Sequence, residues 1–252
     1  MTRVFVLPGD VYESEHILYI RGEDINHIKN VLRMKPGDEL VACECGGGRD
    51  YNCQIEAFDE SGVRCRIRFI KDSDSELPSK VYLFQGLPKA DKMELIIQKC
   101  TELGVYEIIP VKCARSVVRL SGDKAGKKTE RWNMIAKGAA EQSKRSVIPE
   151  VHLPVDMGAA LKYAREVAQV CLVPYELADM ASMDKTREII RELKPGEDIA
   201  VFIGPEGGFE ETEIEMCLEN GVTPVTLGRR ILRTETAGMT VMSWIMLFLE
   251  QG

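Results

Sequence analysis

Two glycine-bearing loops near the C-terminus are the segments of this sequence best suited to chemistry. The first, Ile-Gly-Pro-Glu-Gly-Gly-Phe at residues 203–209, directly follows the apolar run 199–203, and the second, at residues 227–237, follows the run 222–227. Such runs are typical of buried parallel strands. Ligands of open α/β sheets bind beyond the carboxyl ends of the strands, where glycine lets the backbone approach closely. One such loop could be an ordinary strand-to-helix turn, but two predict the walls of one ligand site.

The elements that must position these loops alternate between strands and helices from residue 81 onward. Further strands are predicted at 81–85, 108–111 and 170–173, and helices at 91–103, 129–143, 156–167, 184–193, 210–220 and 237–249. This alternation implies a mostly parallel sheet with helices on both faces. Asp91 and Glu94 have capping-box spacing, and Gly104 has the place of a helix C-cap.

The segment before residue 71 has a different pattern, with short strands separated by turns. Strands are predicted at 3–7, 16–20, 39–45, 51–58 and 63–70, and one helix at 24–33. This spacing favours a small β-barrel. In the last strand Arg64, Arg66 and Arg68 share one face, where they could follow an RNA backbone or pair with Glu56 across the hairpin; the second interpretation is favoured. The polar stretch 71–79, which contains a proline, predicts a domain boundary.

Composition narrows the classes of protein to consider. The chain has 252 residues, 44% of them hydrophobic, which is enough for one large core or two modest ones. No apolar run reaches membrane-spanning length, and the apolar part of the N-terminus is too short for a signal peptide, so a cytoplasmic protein is expected. The eight cysteines lack paired metal-ligand spacing and are expected to be free, buried thiols.

Charge is distributed unevenly along the chain. The net charge is −7, yet residues 112–145 contain ten basic side chains and three acidic ones. This basic segment could bind phosphates, or it could be a solvated loop and one helix face. No G-x-G-x-x-G and no Walker A sequence occurs, so binding of a nicotinamide cofactor or of a nucleoside triphosphate at such a motif is disfavoured.

Several motifs in this order resemble the bacterial 16S ribosomal RNA uracil-N3 methyltransferases. They are Gln-Gly-Leu-Pro-Lys-Ala-Asp-Lys at 85–92, Glu-Leu-Gly-Val at 102–105, Glu-Gln-Ser at 141–143, the two glycine loops, and the segment 27–38. The resemblance implies a SPOUT-class α/β domain at 80–252, whose parallel sheet ends in a C-terminal trefoil knot. It also implies a PUA-like RNA-binding β-barrel at 1–72, a linker at 73–79, S-adenosylmethionine as cofactor, no metal, and a homodimer.

The same resemblance, with the chemistry of the residues, gives a set of candidate site residues. Arg233 would stabilise the uracil anion or shape the loop by pairing with a carboxylate, and Glu206 or Glu235 could take the N3 proton or hold a turn. The cofactor would be bound by Val173, Ile203, Gly204, Pro205, Glu206, Gly207, Gly208, Leu227, Gly228, Ile231, Leu232 and Thr236. RNA would be bound by Arg3, Arg33, Lys89, Lys92, Arg115, Arg119, Lys124, Lys127, Lys128, Gln142, Lys144 and Arg145.

Two other functions fit parts of the sequence. A non-catalytic RNA-binding protein of ribosome assembly would share the barrel and the basic segment, but it would not need two ligand loops. A related SPOUT methyltransferase could act on a ribose 2′-oxygen or on transfer RNA, and without the family resemblance the residues separate these substrates poorly.

Overall fold

A computed structural model describes residues 2–175 and 182–250 of the protein. The chain forms two compact units, one of Met1–Glu76 with Ala140–Ile148 and the other of Leu77–Ala139 with Pro149–Gly252. The first break falls inside the predicted linker at 73–79. The segment 140–148 groups with the first unit, whereas the sequence places it in the second domain, so the boundaries 1–72 and 80–252 stay predictions.

The segment 140–148 is held to the first unit by one carboxylate. Glu76 accepts hydrogen bonds from Arg145 Nε at 3.1 Å and from the backbone nitrogens of Ser146 and Val147 at 2.8 and 3.2 Å. The Gly46 nitrogen also donates to the Ser146 carbonyl at 2.9 Å. The Glu76 contacts join residues about seventy positions apart in sequence, and the contact between Gly46 and Ser146 joins residues still farther apart, so no local pattern indicated them.

The first unit is a six-stranded mixed sheet around a buried apolar core. Its strands are β1 (Thr2–Val6), β2 (Val11–Tyr12), β3 (Ile17–Ile20), β4 (Glu39–Glu44), β5 (Arg49–Asp59) and β6 (Gly62–Asp72), in the order β1-β4-β5-β6-β3-β2. The β1–β4 pair is parallel and the other pairs are antiparallel. Five of these strands and Ile28 contribute to the core, so the prediction of a small β unit is confirmed.

The predicted helix at 24–33 is shorter and is not uniformly α-helical. It consists of α1 (Asp24–Asn26) and a π-helical turn over His27–Val31. Ile28 is fully buried, and the helix stops before Arg33, whose φ of 55° is left-handed. A π turn rotates the side chains that follow it, and helical periodicity alone does not reveal it.

The β5–β6 hairpin pairs its exposed charges as predicted. Glu56 contacts both Arg64, at 3.5 Å, and Arg66. The turn requires glycine at residue 62, because φ is 137° there and a Cβ would collide with the carbonyl of Ile20. Two of the three arginines on this strand face are therefore partly neutralised.

The second unit is built on a seven-stranded sheet in which every pair is parallel. Its strands are β7 (Val81–Gly86), β8 (Glu107–Lys112), β9 (Glu150–Val151), β10 (Val155–Asp156), β11 (Val170–Pro174), β12 (Ile199–Ile203) and β13 (Thr223–Val225). The order is β10-β8-β7-β12-β11-β13, with β9 also paired to β8. The parallel sheet predicted from the strand–helix alternation is confirmed.

Helices cover both faces of this sheet. They are α2 (Lys92–Glu102), α3 (Gly122–Ser143, whose last four residues belong to the first unit), α4 (Met157–Val167), α5 (Met183–Glu192), α6 (Glu211–Glu219) and α7 (Thr234–Leu249). Side chains of α2, α3, α5 and α7 pack with Val201 on one face, and those of α4 and α6 pack with Phe202 on the other. Alternate residues of β12 thus serve two cores, which explains its continuous apolar sequence.

Several helix boundaries and caps differ from prediction. Helix α3 begins at Gly122, seven residues before the predicted start, and α7 begins at Thr234 rather than at residue 237. Asp91 makes no side-chain hydrogen bond as the N-cap of α2, so the predicted capping box is wrong. The Gly104 C-cap is confirmed by its φ of 92°. Neither the start of α3 nor that of α7 shows the apolar periodicity that guides prediction.

Helix α7 is also less completely covered than its composition indicates. Val241, Met242, Ile245 and Leu249 are buried, but Leu247 is 56% exposed. The described fold therefore buries one face of the helix and leaves an apolar side chain on another.

The cysteines are free, as expected. Six of the eight are buried, Cys171 is half-buried and Cys45 is exposed, so the expectation of buried thiols is wrong for Cys45. Burial raises the pKa of the Cys43 and Cys217 thiols to about 12, which keeps them protonated and unreactive. Within residues 2–175 and 182–250, no three potential ligands cluster to hold a metal. No helix in these ranges is long and apolar enough to cross a membrane.

Candidate active site

The first glycine loop is packed tightly beyond the end of β12. A Cβ on Gly86, at the end of β7, would lie 2.6 Å from the nitrogen and Cδ of Pro205, and one on Gly204 would lie 3.1 Å from the backbone of Gly208. Gly208 has a φ of 68°. Both close approaches are between backbones, so a larger residue cannot be accommodated by a side-chain rotation. The loop conformation is therefore set before any ligand binds.

Gly207 has a different role from the one its sequence indicates. Its φ is not left-handed, and a Cβ there would lie 3.0 Å from Cβ of Arg115. The Arg115 guanidinium also donates to the Gly207 carbonyl at 3.1 Å. Glycine at this position leaves room for Arg115 against the loop.

The second glycine loop has fewer partners. Thr226 is held by a hydrogen bond from its nitrogen to Thr186 Oγ1 at 3.0 Å, and Gly228, with φ of 105°, donates to Thr226 Oγ1 at 3.3 Å. Beyond Gly228 the chain is more open, and Ile231 is 82% exposed. This loop presents side chains outward, whereas the first loop presents backbone.

The two loops wall one cleft of about 920 Å³ at the carboxyl ends of β11, β12 and β13. This volume suits a ligand of nucleoside size. The lining residues are Lys92, Arg115, Pro174, Tyr175, Ile203, Gly204, Pro205, Glu206, Gly207, Gly208, Phe209, Glu211, Thr226, Leu227, Gly228, Arg230, Ile231, Leu232, Arg233, Thr234 and Ala237. The sequence-based reasoning that two loops would form one site agrees with this geometry.

Ten of the twelve residues predicted to bind cofactor line the cleft, and two do not. Val173 is fully buried and faces the sheet core, while the next residues, Pro174 and Tyr175, line the cleft. Thr236 is exposed but lies outside the lining. Pro174 and Tyr175 could have been found by applying the carboxyl-end rule to the strand 170–173 as well.

Three charged side chains meet beside the first loop. Lys92 Nζ lies 3.0 Å from Glu206 Oε1 and 3.5 Å from Glu235 Oε2. Glu206 Oε1 also accepts a hydrogen bond from the Lys89 nitrogen at 3.0 Å. Partial burial opposes ionisation of Glu206, but the Lys89 amide and the Lys92 ammonium outweigh it and lower its pKa. The hydrogen bond that Lys92 donates to Glu206 raises the pKa of Lys92, so the pair is ionised.

Arg233 lines the cleft as the exposed N-cap residue of α7. The alternative role considered for it, pairing with Glu206 or Glu235, is taken by Lys92 instead, and Arg233 makes no ion pair within the described residues. Its guanidinium is therefore available to a ligand. Glu235 lies in the first turn of α7, outside the lining, and its side chain is 13% exposed.

Two residues predicted to bind RNA are instead buried in ion pairs of the first unit. Arg3 makes a bidentate pair with Asp50, with N–O distances of 2.6 and 2.7 Å. Arg145 is paired with Glu76, and its side chain is 3% exposed. A buried, paired guanidinium cannot reach a phosphate, so the structure argues against RNA contact for both.

The other predicted RNA-binding residues differ in how far they are already engaged. Lys92 and Arg115 line the cleft. Arg119 donates to the carbonyls of Cys113 and Ala114 at 3.5 and 3.3 Å, and Lys128 lies 3.9 Å from Glu94. The remaining predicted RNA-binding residues are exposed: Arg33, Lys89, Lys124, Lys127, Gln142 and Lys144.

The sequence motifs contained two further polar residues whose function was not predicted. Gln85, at the end of β7, and Thr234, at the start of α7, are buried and hydrogen-bonded to each other at 2.8 Å. The available signal was a glutamine that ends a strongly apolar strand. Its partner, 149 positions away, could not be inferred from sequence spacing.

The second unit is an α/β domain with a cleft between two glycine loops at the carboxyl ends of its strands, and the first unit is a small β domain. This combination is that of an RNA methyltransferase with a PUA domain. Residues 75–246 match the model of the RNA methyltransferase domain, and residues 20–68 match that of the RNA methyltransferase PUA domain.

Full-length relatives identify the family within that class. The chain is 40% identical to ribosomal RNA small subunit methyltransferase E of Bacillus subtilis, over 97% of this chain and 96% of that protein. It is 34% identical to the protein of the same name from Mesomycoplasma hyopneumoniae, over 92% and 94%. The chain belongs to the ribosomal RNA small subunit methyltransferase E family.

Solved structures agree with this assignment. A methyltransferase from Legionella pneumophila, solved with bound cofactor SAM, has a TM-score of 0.83 at 31% identity and covers 98% of this chain and 97% of its own. Ribosomal RNA small subunit methyltransferase E from Neisseria gonorrhoeae, bound to S-adenosyl methionine, has a TM-score of 0.81 at 28% identity, with coverage of 96% and 95%.

Proposed function

We propose that the protein is an S-adenosylmethionine-dependent methyltransferase that methylates N3 of a uridine in 16S ribosomal RNA of the small subunit. The observation that carries this proposal is the cleft between two glycine loops, in a chain that aligns with its named relatives over nearly its whole length. Ribosomal RNA as substrate also suggests that it acts in the cytoplasm.

The cleft fits the cofactor. One wall is backbone, where a Cβ on Gly204 would lie only 3.1 Å from Gly208, and the cleft volume of about 920 Å³ suits a nucleoside with an amino-acid arm. The backbone of residues 204–208 and 226–232 would hold the adenosine and methionine parts. When bound, S-adenosylmethionine supplies an electrophilic methyl group on a sulfonium. The protein then mainly has to align the acceptor with that methyl, and alignment alone can supply much of the rate.

Side chains of the protein would prepare the uracil for methylation by stabilising its negative charge and by accepting the N3 proton. N3 lies on the Watson–Crick edge, so the base has to leave its stack or be unpaired when it reacts. Arg233, which lies in the cleft and makes no ion pair within the described residues, would stabilise negative charge on the uracil oxygens as the N3 proton leaves. Glu206 and Glu235 are the two candidates to accept that proton. Glu206 lines the cleft but is held ionised by Lys89 and Lys92, whereas Glu235 lies outside the lining and also contacts Lys92.

RNA binding would rest on the exposed basic residues. Lys124, Lys127 and Lys144 are exposed and have no ion pair within the described residues, so they are suited to phosphates. Each phosphate contact should contribute somewhat under one unit to the slope of log affinity against log salt. If replacing these three lysines left the slope of log affinity against log salt unchanged, this part of the proposal would be contradicted.

Homodimer formation and the trefoil knot are further parts of the proposal. Leu247 and Ile231 are large, exposed apolar residues on α7 and on the loop before it, and a symmetric partner would cover them. The knot is proposed from the resemblance to the SPOUT methyltransferases; the hydrogen bond between Thr234 Oγ1 and the Gly204 carbonyl shows only that the start of α7 contacts the first loop. A monomeric mass in sedimentation at micromolar concentration would contradict the dimer, and an unthreaded crystallographic chain trace would contradict the knot.

The activity is tested by product identification. The purified chain would be incubated with small ribosomal subunits from cells lacking the gene and with S-adenosylmethionine that carries a deuterated methyl group. Digestion and mass spectrometry should reveal labelled 3-methyluridine. Cofactor binding without any transfer to RNA would favour a different substrate, and absence of cofactor binding would favour an RNA-binding assembly protein.

A further inference from the structure

A buried chain of hydrogen bonds connects three segments around the cleft. Gln85 Nε2 donates to the Gly86 carbonyl at 2.9 Å and to Thr234 Oγ1 at 2.8 Å. Thr234 Oγ1 in turn donates to the Gly204 carbonyl at 2.7 Å. Gln85 is completely buried and Thr234 is 5% exposed. The chain of bonds therefore runs from the end of β7, through the start of α7, to the first glycine loop.

The direction of each bond is fixed by the chemistry of the groups. The two N–H bonds of the Gln85 amide go to the Gly86 carbonyl and to Thr234. Because the Thr234 hydroxyl accepts from Gln85, its single proton is left for the Gly204 carbonyl. Rotation of the hydroxyl would leave two buried polar groups unpaired, and such groups are costly in the interior. The two carbonyl acceptors thus fix the direction of the bonds, while the buried Gln85 Oε1 has no hydrogen-bond partner among the described residues.

The same hydroxyl is not used by its own helix. Thr234 is the first residue of α7, and the N-cap Arg233 makes no side-chain capping bond. Threonine near a helix N-terminus commonly bonds to the backbone of that helix. Here its side chain instead bonds to a loop thirty residues earlier, so the hydroxyl has a tertiary role.

We propose that Gln85 and Thr234 are positioning residues that set the separation of the two glycine loops and the place of Arg233. Thr234 follows the second loop directly and is bonded to the first, so its hydroxyl fixes one distance across the cleft. Arg233 is its neighbour in the chain, and its backbone moves with it. This inference rests on the proposed function, because it assumes that the cleft binds S-adenosylmethionine.

The test compares two variants that differ in whether residue 234 keeps its hydroxyl. Thr234→Val keeps the branched shape but lacks the hydroxyl, and Thr234→Ser keeps the hydroxyl. We expect Thr234→Val to weaken S-adenosylmethionine binding, measured by calorimetry, about tenfold. It should also lower single-turnover methyl transfer at saturating cofactor. Thr234→Ser should remain within about threefold of wild type in both measurements.

A second variant keeps the test decisive if Thr234→Val folds poorly. Gln85→Met removes the amide with similar volume and should weaken cofactor binding in the same direction. The double variant should be less than additive, because both changes break one chain of bonds. The positioning role alone would be overturned if Thr234→Val bound S-adenosylmethionine with wild-type affinity. It would also be overturned if Thr234→Val and Thr234→Ser lost cofactor affinity equally. Failure of the wild-type chain to bind S-adenosylmethionine would overturn the proposed function and this role with it.

Discussion

The amino and carboxyl ends of the parallel sheet in the second unit differ in which groups make the close contacts: side chains at the amino end and backbone at the carboxyl end. At the amino end, side chains form a dense network: Glu107 Oε2 accepts from the Tyr163 hydroxyl at 2.7 Å and lies 2.9 Å from His152 Nε2. The rings of Tyr82 and Tyr106 stack edge to face nearby, and Lys80 lies over Tyr106 at 4.5 Å. Charged and aromatic groups at this end contact one another.

At the carboxyl end, the close contacts are made by the backbone rather than by side chains. Gly86 and Gly204 allow chain segments to approach within distances that a Cβ would prevent or strain, and Gly208 adopts a left-handed φ of 68°. The charged groups there are only partly satisfied, since Lys92 and Glu206 pair while Arg233 faces the cleft without an ion pair within the described residues.

The difference separates stability from function within one sheet. The side chains around Glu107 bond to one another and stabilise the fold. The glycine loops expose backbone, and Arg230 and Arg233, which line the cleft, make no ion pair within the described residues and so are available to a ligand. Changes at the carboxyl end should therefore affect cofactor binding and turnover, and changes at the amino end should affect only stability.

The largest effect is expected from Gly86→Ala. Its Cβ would lie 2.6 Å from Pro205 and 3.0 Å from Cys113 Sγ, so the first glycine loop would have to move. Overpacking of this kind costs about 1–3 kcal/mol, and we expect cofactor affinity to fall by up to about a hundredfold. Calorimetric titration with S-adenosylmethionine measures this directly.

Gly126→Ala is the matched control for that substitution. Gly126 lies in α3, and a Cβ there would meet no atom within 4 Å. Alanine should leave cofactor affinity unchanged and stabilise the helix slightly, because glycine is a poorer helix former. Equal loss of affinity in both variants would mean that tight packing at Gly86 has no special role.

A smaller and more selective effect is expected from Arg233→Ala. If Arg233 stabilises the uracil anion, single-turnover methyl transfer should fall by about a hundredfold, a loss typical of removing one positioned electrostatic group. Cofactor affinity should change by less than about threefold, since the interaction forms mainly in the transition state. Arg229→Ala, at an exposed arginine outside the cleft lining, should change neither quantity. Parallel losses of affinity and rate in Arg233→Ala would reassign Arg233 to loop structure.

The smallest effect is expected at the amino end, from His152→Gln. The hydrogen bond that His152 Nε2 donates to Glu107 raises the pKa of His152 despite its partial burial. A raised folded-state pKa means that the stabilisation is present below the unfolded histidine pKa and is lost as pH rises through the folded value. The partly exposed pair should contribute no more than about 1 kcal/mol.

The measurement for His152→Gln is the free energy of unfolding from about pH 5 to pH 8, the range in which histidine titrates. Wild type should lose stability relative to the variant as pH rises, and methyl transfer at fixed pH should be unchanged in the variant. A loss of transfer rate in His152→Gln would break the separation between the two ends of the sheet.

The sequence predicted the site better than it predicted the contacts that hold the site. Glycine after an apolar strand is a local signal, so the loops at 203–209 and 227–237 were found together with most of the cleft lining. The formation of an ion pair leaves no local signal in the sequence. Arg3 and Arg145 could not be distinguished by sequence from exposed arginines, although they are buried and paired with Asp50 and Glu76. The bond between Gln85 and Thr234 joins positions 149 apart for the same reason.

Element types were also predicted more reliably than element ends. Strand β12 was predicted with its observed bounds because both of its faces are buried, which makes its apolar run continuous. The start of α7 was missed because its N-cap residue Arg233 carries no capping signal, whereas the start of α3 was missed although Ser121, the residue before it, is of a type favoured at helix N-caps. The π turn at His27–Val31 follows the same apolar spacing as an α-helix at first, and only the fold separates the two.

The account is tested most directly by hydrogen–deuterium exchange of the purified protein with and without saturating S-adenosylmethionine. Amides of residues 204–208 and 226–232 should exchange more slowly when the cofactor is present, because both loops would bind it. Exchange at residues 150–163, which include the amino-end network, should not change. Protection of residues 150–163, or no protection in either glycine loop despite measured binding, would contradict the assignment of cofactor binding to the carboxyl end of the sheet.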